Sequence, residues 1–245
     1  MPNKSKLLSQ VLLHICEVTT SGLLVASCRF LLIIVFAPSV PSGSCVIHGV
    51  QLLIKHNYDA FNYPSSDNPV EEMHFQISSM EEKYNKVLSI LNKIKDNGIE
   101  KVLVYCNSLA SAVDFNKLSK ETGLKIITPL DVYIKDANNY NCLAIIAANA
   151  VAAKKIEEVY LNINHSMLII SIGMLPLVLS IEKKLAIDEI IKKHDLSTVC
   201  NWFYNNGAES ILLGCTHFPY IYDGLVKVSK IPIIDPSKKM IELLK

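Results

Sequence analysis

The sequence predicts an α/β protein of two similar lobes, each with a mainly parallel sheet flanked by helices. Two observations carry this. Short apolar runs alternate with longer amphipathic stretches along most of the chain, which is how strand, helix and strand follow one another in parallel sheets. The two halves also repeat one arrangement, around Cys106 and again around Cys215: a helix, a glycine, an apolar strand, then a cysteine with a hydroxyl residue.

The elements follow in order. Residues 11–15 read as a strand and Thr19-Thr20-Ser21-Gly22 as a turn. A helix is expected from 22 to about 32, running into a strand at 33–36. Two prolines and a glycine make 38–43 a loop. The polar stretch 56–69 reads as a surface excursion. The clearest helix is 80–97, where Tyr84, Val87, Leu88, Leu91 and Ile94 recur at three- and four-residue steps and Gly98 closes it. A short buried strand at 101–105 ends in Cys106-Asn107-Ser108. A helix over 110–122 closes at Gly123, and Pro129 ends a strand at 126–127. The pattern repeats with a strand at 142–147, a helix at 150–160 and an apolar run at 167–172. Helices at 181–194 and 198–206 come next, then a strand at 211–213. That strand ends in Gly214-Cys215-Thr216-His217, and a last strand falls at 231–234.

Apolar residues make up 50% of the 245 and charged residues 19%, the composition of a packed globular protein. A net charge of +1 gives no field that would gather nucleic acid or anionic membrane, and no nucleic-acid partner is expected. None of the seven cysteines forms a C-x-x-C pair, so neither a zinc site nor a thioredoxin-type motif is expected. Scattered thiols suit a reducing, cytoplasmic setting. The apolar stretch 23–40 raises the question of a membrane anchor. Arg29 interrupts it and Pro38 falls near its end. Buried core elements account for the same residues, and no membrane partner is expected.

Both cysteine motifs fall at the carboxyl end of a strand, where ligands bind in parallel sheets. A cysteine that also opens a helix meets unpaired backbone N–H groups, which favour the thiolate. The same N–H groups, with Asn, Ser and Thr side chains, can hold a carboxylate. One such cysteine suggests a nucleophile. Two, placed alike in two lobes, can face one carbon from opposite sides, one taking a proton and the other returning it. His217, two residues beyond Cys215, can act on the thiol or on the substrate. Cys16, Cys28, Cys45, Cys142 and Cys200 lack such neighbours and read as core.

The run Gly-Cys-Thr-His-Phe-Pro at 214–219 resembles the second-cysteine motif of the aspartate/glutamate racemases, in its glutamate form. Cys106-Asn107-Ser108, with Ala110 and Ser111, resembles the first-cysteine motif. The likeness runs from about Met80 to Asp235. It implies a cleft between the lobes as the active site, Cys106, Cys215 and His217 as catalytic residues, and Asn107, Ser108 and Thr216 as ligands of an amino-acid substrate. It implies no cofactor and no metal, and it suggests a homodimer. It places residues 1–130 in the first lobe and 131–219 in the second, with 220–245 returning to the first. The opening 75 residues match poorly. The family's Asp-Ser-Gly-x-Gly-Gly finds only Thr20-Ser21-Gly22, and its Pro-Tyr-Gly only Pro41-Ser42-Gly43. Ser21 and Gly43 carry over as substrate contacts and the catalytic Asp does not, which leaves Glu17, Asp59 and Asp67 as stand-ins more simply read as surface charges. Glutamate racemisation is the expected activity. Aspartate racemisation, a related isomerase or decarboxylase, and a non-catalytic amino-acid-binding protein are the rivals.

Overall fold

A computed structural model describes residues 30–34, 44–56, 58–62, 75 and 78–245. Their elements form two four-stranded sheets, each with every strand parallel to its neighbours.

The first sheet contains β1 (Phe30–Ile34), β2 (Asp59–Asn62), β3 (Lys101–Val104) and β4 (Lys125–Ile127), in the order β2-β1-β3-β4. Helix α1 (Ser44–Lys55) links β1 to β2. Helix α2 (Met80–Asp96) buries Val87, Leu91 and Ile94, the inner positions of the predicted stripe. It opens with a reciprocal cap: the Glu82 N–H donates to Ser79 Oγ, and the Ser79 N–H to the Glu82 carboxylate.

Several expectations are corrected here. Phe30–Leu32 are strand, not the end of a helix, because the central strand of a parallel sheet reads as a continuous apolar run whose period says nothing. Residues 59–62 are an edge strand inside the predicted excursion. The helix over 110–122 is two, α3 (Asn107–Ala112) and α4 (Phe115–Thr122). The break falls at Asp114, whose carboxylate accepts from the Lys117 N–H at 2.9 Å and starts a new helix. Residues 11–15, 19–29 and 38–43 lie outside the described residues.

Helix α5 (Pro129–Asp136) was not expected. Pro129 ends β4 and also occupies the first turn of this helix, where a missing N–H costs nothing. Thr128 and Asp131 cap it.

The second sheet has β5 (Cys142–Ala147), β6 (Leu168–Gly173), β7 (Ser210–Gly214) and β8 (Ile233–Ile234), in the order β6-β5-β7-β8. Every residue of β5 is buried. Helix α6 (Ala150–Ile163) connects β5 to β6. Between β6 and β7 lie α7 (Leu175–Glu182), α8 (Ile187–Lys193) and α9 (Leu196–Asn205). The single helix expected at 181–194 is therefore broken, with Lys184 in the left-handed region at φ 55°.

After β7, a 3-10 turn (Phe218–Ile221) and α10 (Tyr222–Val228) lead to β8, which pairs with β7. The chain thus stays with the second sheet through Ile234, not only to residue 219. What packs on the first lobe is α11 (Pro236–Leu244), against α5, β3 and β4. Lys101 Nζ donates to the Leu244 carbonyl at 2.7 Å, and Lys239 pairs with Asp136.

The core has three parts. One lies on the outer side of the first lobe, around Leu91, Val102 and Leu118. Another lies on the outer side of the second, around Ile146, Phe203 and Leu213. The third joins the lobes, combining Leu103 and Tyr105 with Tyr133, Ile145, Tyr160, Leu212, Met240 and Ile241. No helix among the described residues is long and apolar enough to cross a membrane, and the part of 23–40 that is described, Phe30–Ile34, is a strand paired on both sides.

Candidate active site

Cys106 follows β3 by two residues and is the N-cap of α3, with Sγ accepting from the Leu109 N–H at 3.5 Å. Its backbone is extended (φ −161°, ψ 120°), as an N-cap requires. Cys215 follows β7 directly and is 7% exposed. Gly214 lets the strand end pack closely. A Cβ there would meet Ile156 Cδ1 at 2.7 Å, Ile145 Cγ2 at 3.2 Å and the Ile146 carbonyl at 3.2 Å.

Cys215 Sγ lies 3.6 Å from His217 Nδ1, and His217 Nε2 lies 2.5 Å from Glu182 Oε1. Glu182 ends α7, whose other residues, Leu-Pro-Leu-Val-Leu-Ser-Ile, carry no charge. The carboxylate orients the imidazole, and the imidazole faces the thiol: thiol, base and orienting group stand in one line.

Between the lobes a cavity of about 10 Å³ is lined by Tyr105, Asn107 and Pro129 on one side and Cys215, Thr216 and Pro219 on another. Asp235, Pro236, Ser237 and Met240, at the start of α11, complete it. Asp235 caps that helix, accepting from the Ser237 N–H at 2.9 Å and the Ser237 hydroxyl at 2.6 Å. The volume is about that of one water.

No family model matches the chain. It is 27% identical over 210 residues to a glutamate racemase of Clostridium botulinum, covering 82% of this chain and 77% of that protein. It is 23% identical over 192 residues to glutamate racemase 1 of Caldanaerobacter subterraneus, covering 74% of this chain and 65% of that one. Its fold is similar to that of the Francisella tularensis glutamate racemase solved with D-glutamate, at TM-score 0.65 and 16% identity over 89% of this chain and 80% of that one. It is likewise similar to an aspartate racemase homologue from Pyrococcus horikoshii, at TM-score 0.63 and 14% identity over 88% and 99%.

The chain is thus similar in sequence to glutamate racemases and in fold to both glutamate racemases and an aspartate racemase homologue.

Of the residues that the family resemblance singles out, Asn107, Cys215 and Thr216 share the interlobe cavity, and His217 stands behind Cys215. Cys106 adjoins Asn107, and Ser108 is exposed on α3. Ser21 and Gly43 lie outside the described residues, as do Glu17 and Asp67. Asp59 is at the amino end of β2, level with Phe30, whereas Cys106 lies past the carboxyl end of β3, beyond the Ile34–Val104 pair. At about 3.3 Å per strand residue, that is the wrong end of the sheet for assisting Cys106.

Sequence reasoning missed Glu182 and Tyr133. Glu182 had one signal, a lone carboxylate closing an apolar helix. Tyr133 had none, since its helix was not expected. Its phenol is buried and donates to Asn107 Oδ1 at 2.8 Å, and burial pushes its pKa above the ordinary range, so it stays protonated. Burial also pushes the Cys200 thiol up to about 11, in keeping with a core role. Cys106, Cys142, Cys200 and Cys215 are free thiols.

Proposed function

We propose that this protein racemises glutamate without an organic cofactor, by passing protons between the substrate and the two thiols of Cys106 and Cys215. One cysteine, as thiolate, takes the α-proton: the Cα–H bond breaks, an S–H bond forms, and the electron pair spreads into the carboxylate. The other cysteine, as thiol, returns a proton to the opposite face. Its S–H bond breaks and a new Cα–H bond forms. The two sulfurs thereby exchange protonation states, and the reverse reaction starts from that exchanged form.

The observation that carries this reading is the pairing of like positions. Each sheet ends a strand next to its centre in a cysteine motif, and residues of both motifs, Asn107 and Cys215, wall one cavity. Glu182 and His217 give Cys215 a route for holding or moving a proton. Asn107, Ser108 and Thr216 are assigned to the amino acid's polar groups, by the resemblance of their motifs. The carbanion is very basic, and fixed hydrogen-bond donors in a closed cavity are what lower its energy. Glutamate is preferred over aspartate because aspartate-specific relatives often carry Glu in the position of His217.

The test is proton exchange in D2O at neutral pH, with L-glutamate and L-aspartate in separate samples. The α-proton would be followed by NMR and the optical rotation in parallel. Loss of both signals with glutamate is the expected result. Loss with aspartate alone would move the substrate assignment. Retention of both signals with either amino acid would sink the racemase reading.

A further inference from the structure

Tyr133 sits on α5, where the lobes meet. Its ring is fully buried and stacks on Tyr160 of α6, with centroids 5.5 Å apart and planes 28° from parallel. Its hydroxyl donates to Asn107 Oδ1. Asn107 is 5% exposed, and its Nδ2 is buried with no hydrogen-bond partner among the described residues. That residue also lines the cavity opposite Cys215 and Thr216. Buried amide groups are almost always paired, so an unpaired one on a cavity wall points to a group that arrives from outside.

The phenol decides which way the amide faces. Turned over, the amide would present NH2 to the phenol. The phenol proton would then lose its acceptor inside an apolar stack, at the full cost of a buried unpaired donor. An NH2 group can only donate. It therefore suits a carboxylate oxygen and not an ammonium group.

We infer that Tyr133 is a positioning residue, holding the Asn107 amide so that Nδ2 donates to the α-carboxylate of the bound amino acid. The identity of that ligand rests on the racemase reading, while the geometry does not. Tyr133 reaches the site only through Asn107. The stack on Tyr160 brings a second-lobe helix into the setting of a first-lobe residue.

The test is a double-mutant cycle on Tyr133→Phe and Asn107→Ala, with glutamate as substrate and D-glutamate binding measured by calorimetry on the same four proteins. Tyr133→Phe keeps the ring and the stack. It should raise KM and Kd about tenfold and change kcat by less than about threefold, the pattern of lost ground-state binding. In the Asn107→Ala background it should add less than about twofold, since nothing remains to orient. An unchanged KM and Kd, or an equal rise in both backgrounds, would overturn the inference. Wild-type protein that binds D-glutamate without turning it over would defeat the racemase reading alone, leaving the four Kd values to judge Tyr133. Wild-type protein that does neither defeats both. A measurement that needs no variant is the Asn107 side-chain amide signal in 15N-labelled wild-type protein. It should move on addition of D-glutamate, and a signal unmoved at saturation would also overturn the inference.

Discussion

The two cysteines occupy like places and have unlike surroundings. Cys106 is half-buried, caps a short helix, and follows the buried Tyr105. Cys215 is buried, follows Gly214, and faces a histidine held by a carboxylate. After Cys106 come an amide and a hydroxyl, Asn107 and Ser108. After Cys215 come a hydroxyl and an imidazole, Thr216 and His217. A racemase needs both faces of its substrate served, but it does not need them served by the same means. The second-lobe thiol has its histidine and carboxylate neighbours, His217 and Glu182, within its own lobe. The first-lobe thiol has a polar neighbour, Asn107, fixed from the lobe junction. On the proposed racemase reading, the lesson is a division of labour: proton management is most developed around Cys215, and substrate orientation around Asn107.

The largest effects test whether both thiols are needed. Cys106→Ala and Cys215→Ala should each lower racemisation by about 10³-fold or more, because losing either acid or base stops inversion. The comparison is sharpened by α-proton exchange in D2O, measured separately from L- and D-glutamate. Each variant should still exchange the enantiomer whose proton faces the surviving thiol, so the two variants should show opposite preferences. Equal, complete loss of exchange from both enantiomers in both variants would break the two-face assignment.

A smaller effect is expected at Glu182. Glu182→Gln removes the carboxylate that orients His217 while keeping the side chain's shape. The expected loss is about tenfold or more in kcat, with little change in KM, as for an orienting carboxylate behind a catalytic imidazole. The loss should fall on exchange at the face served by Cys215 and leave the other face nearly unaffected. Equal slowing at both faces would mean that Glu182 only supports the fold.

The sequence made the second motif more legible than the first. Cys215, Thr216 and His217 are contiguous with β7, so one short run displayed most of that half of the site. Its missing member, Glu182, is 35 residues away and was hidden because it fell at the start of the single helix expected over 181–194, whereas in the structure it closes the separate helix α7. The Lys184 backbone turns there although its side chain gives no warning. In the first lobe Cys106 and Asn107 were legible, and the residue that fixes Asn107 was not. Tyr133 stands on a helix announced by Pro129, which serves equally to stop a strand. The alternation of strands and helices predicted both sheets. It misplaced β1 and overlooked β2, because a fully apolar strand has no period and a four-residue edge strand is shorter than a period can establish. The return to the first lobe was set too early because β8 is two residues long, and only its pairing with β7 reveals which sheet it joins.

The smallest expected effect concerns the residues just before each cysteine, Tyr105 and Gly214. In the first lobe a large side chain fills the space under the strand end. In the second that space belongs to Ile156 and Ile145, and a glycine passes over them. Gly214→Ala would set its Cβ against the movable end of Ile156, but also against the fixed Ile146 carbonyl at 3.2 Å. Overpacking of this kind costs about 1–3 kcal/mol, which in a chain of this size lowers the melting temperature by roughly 2–4 °C per kcal/mol. Part of the strain should pass to Cys215 as a small displacement from His217, lowering kcat less than Glu182→Gln does. Thermal denaturation and kcat measured on the same sample check both. An unchanged melting temperature would mean that Ile156 yields freely and that the glycine is not what sets the place of the second thiol. A kcat loss larger than that of Glu182→Gln would mean that the backbone position of Cys215 matters more than its histidine, and the division of labour between the two cysteines would have to be redrawn around the strand end.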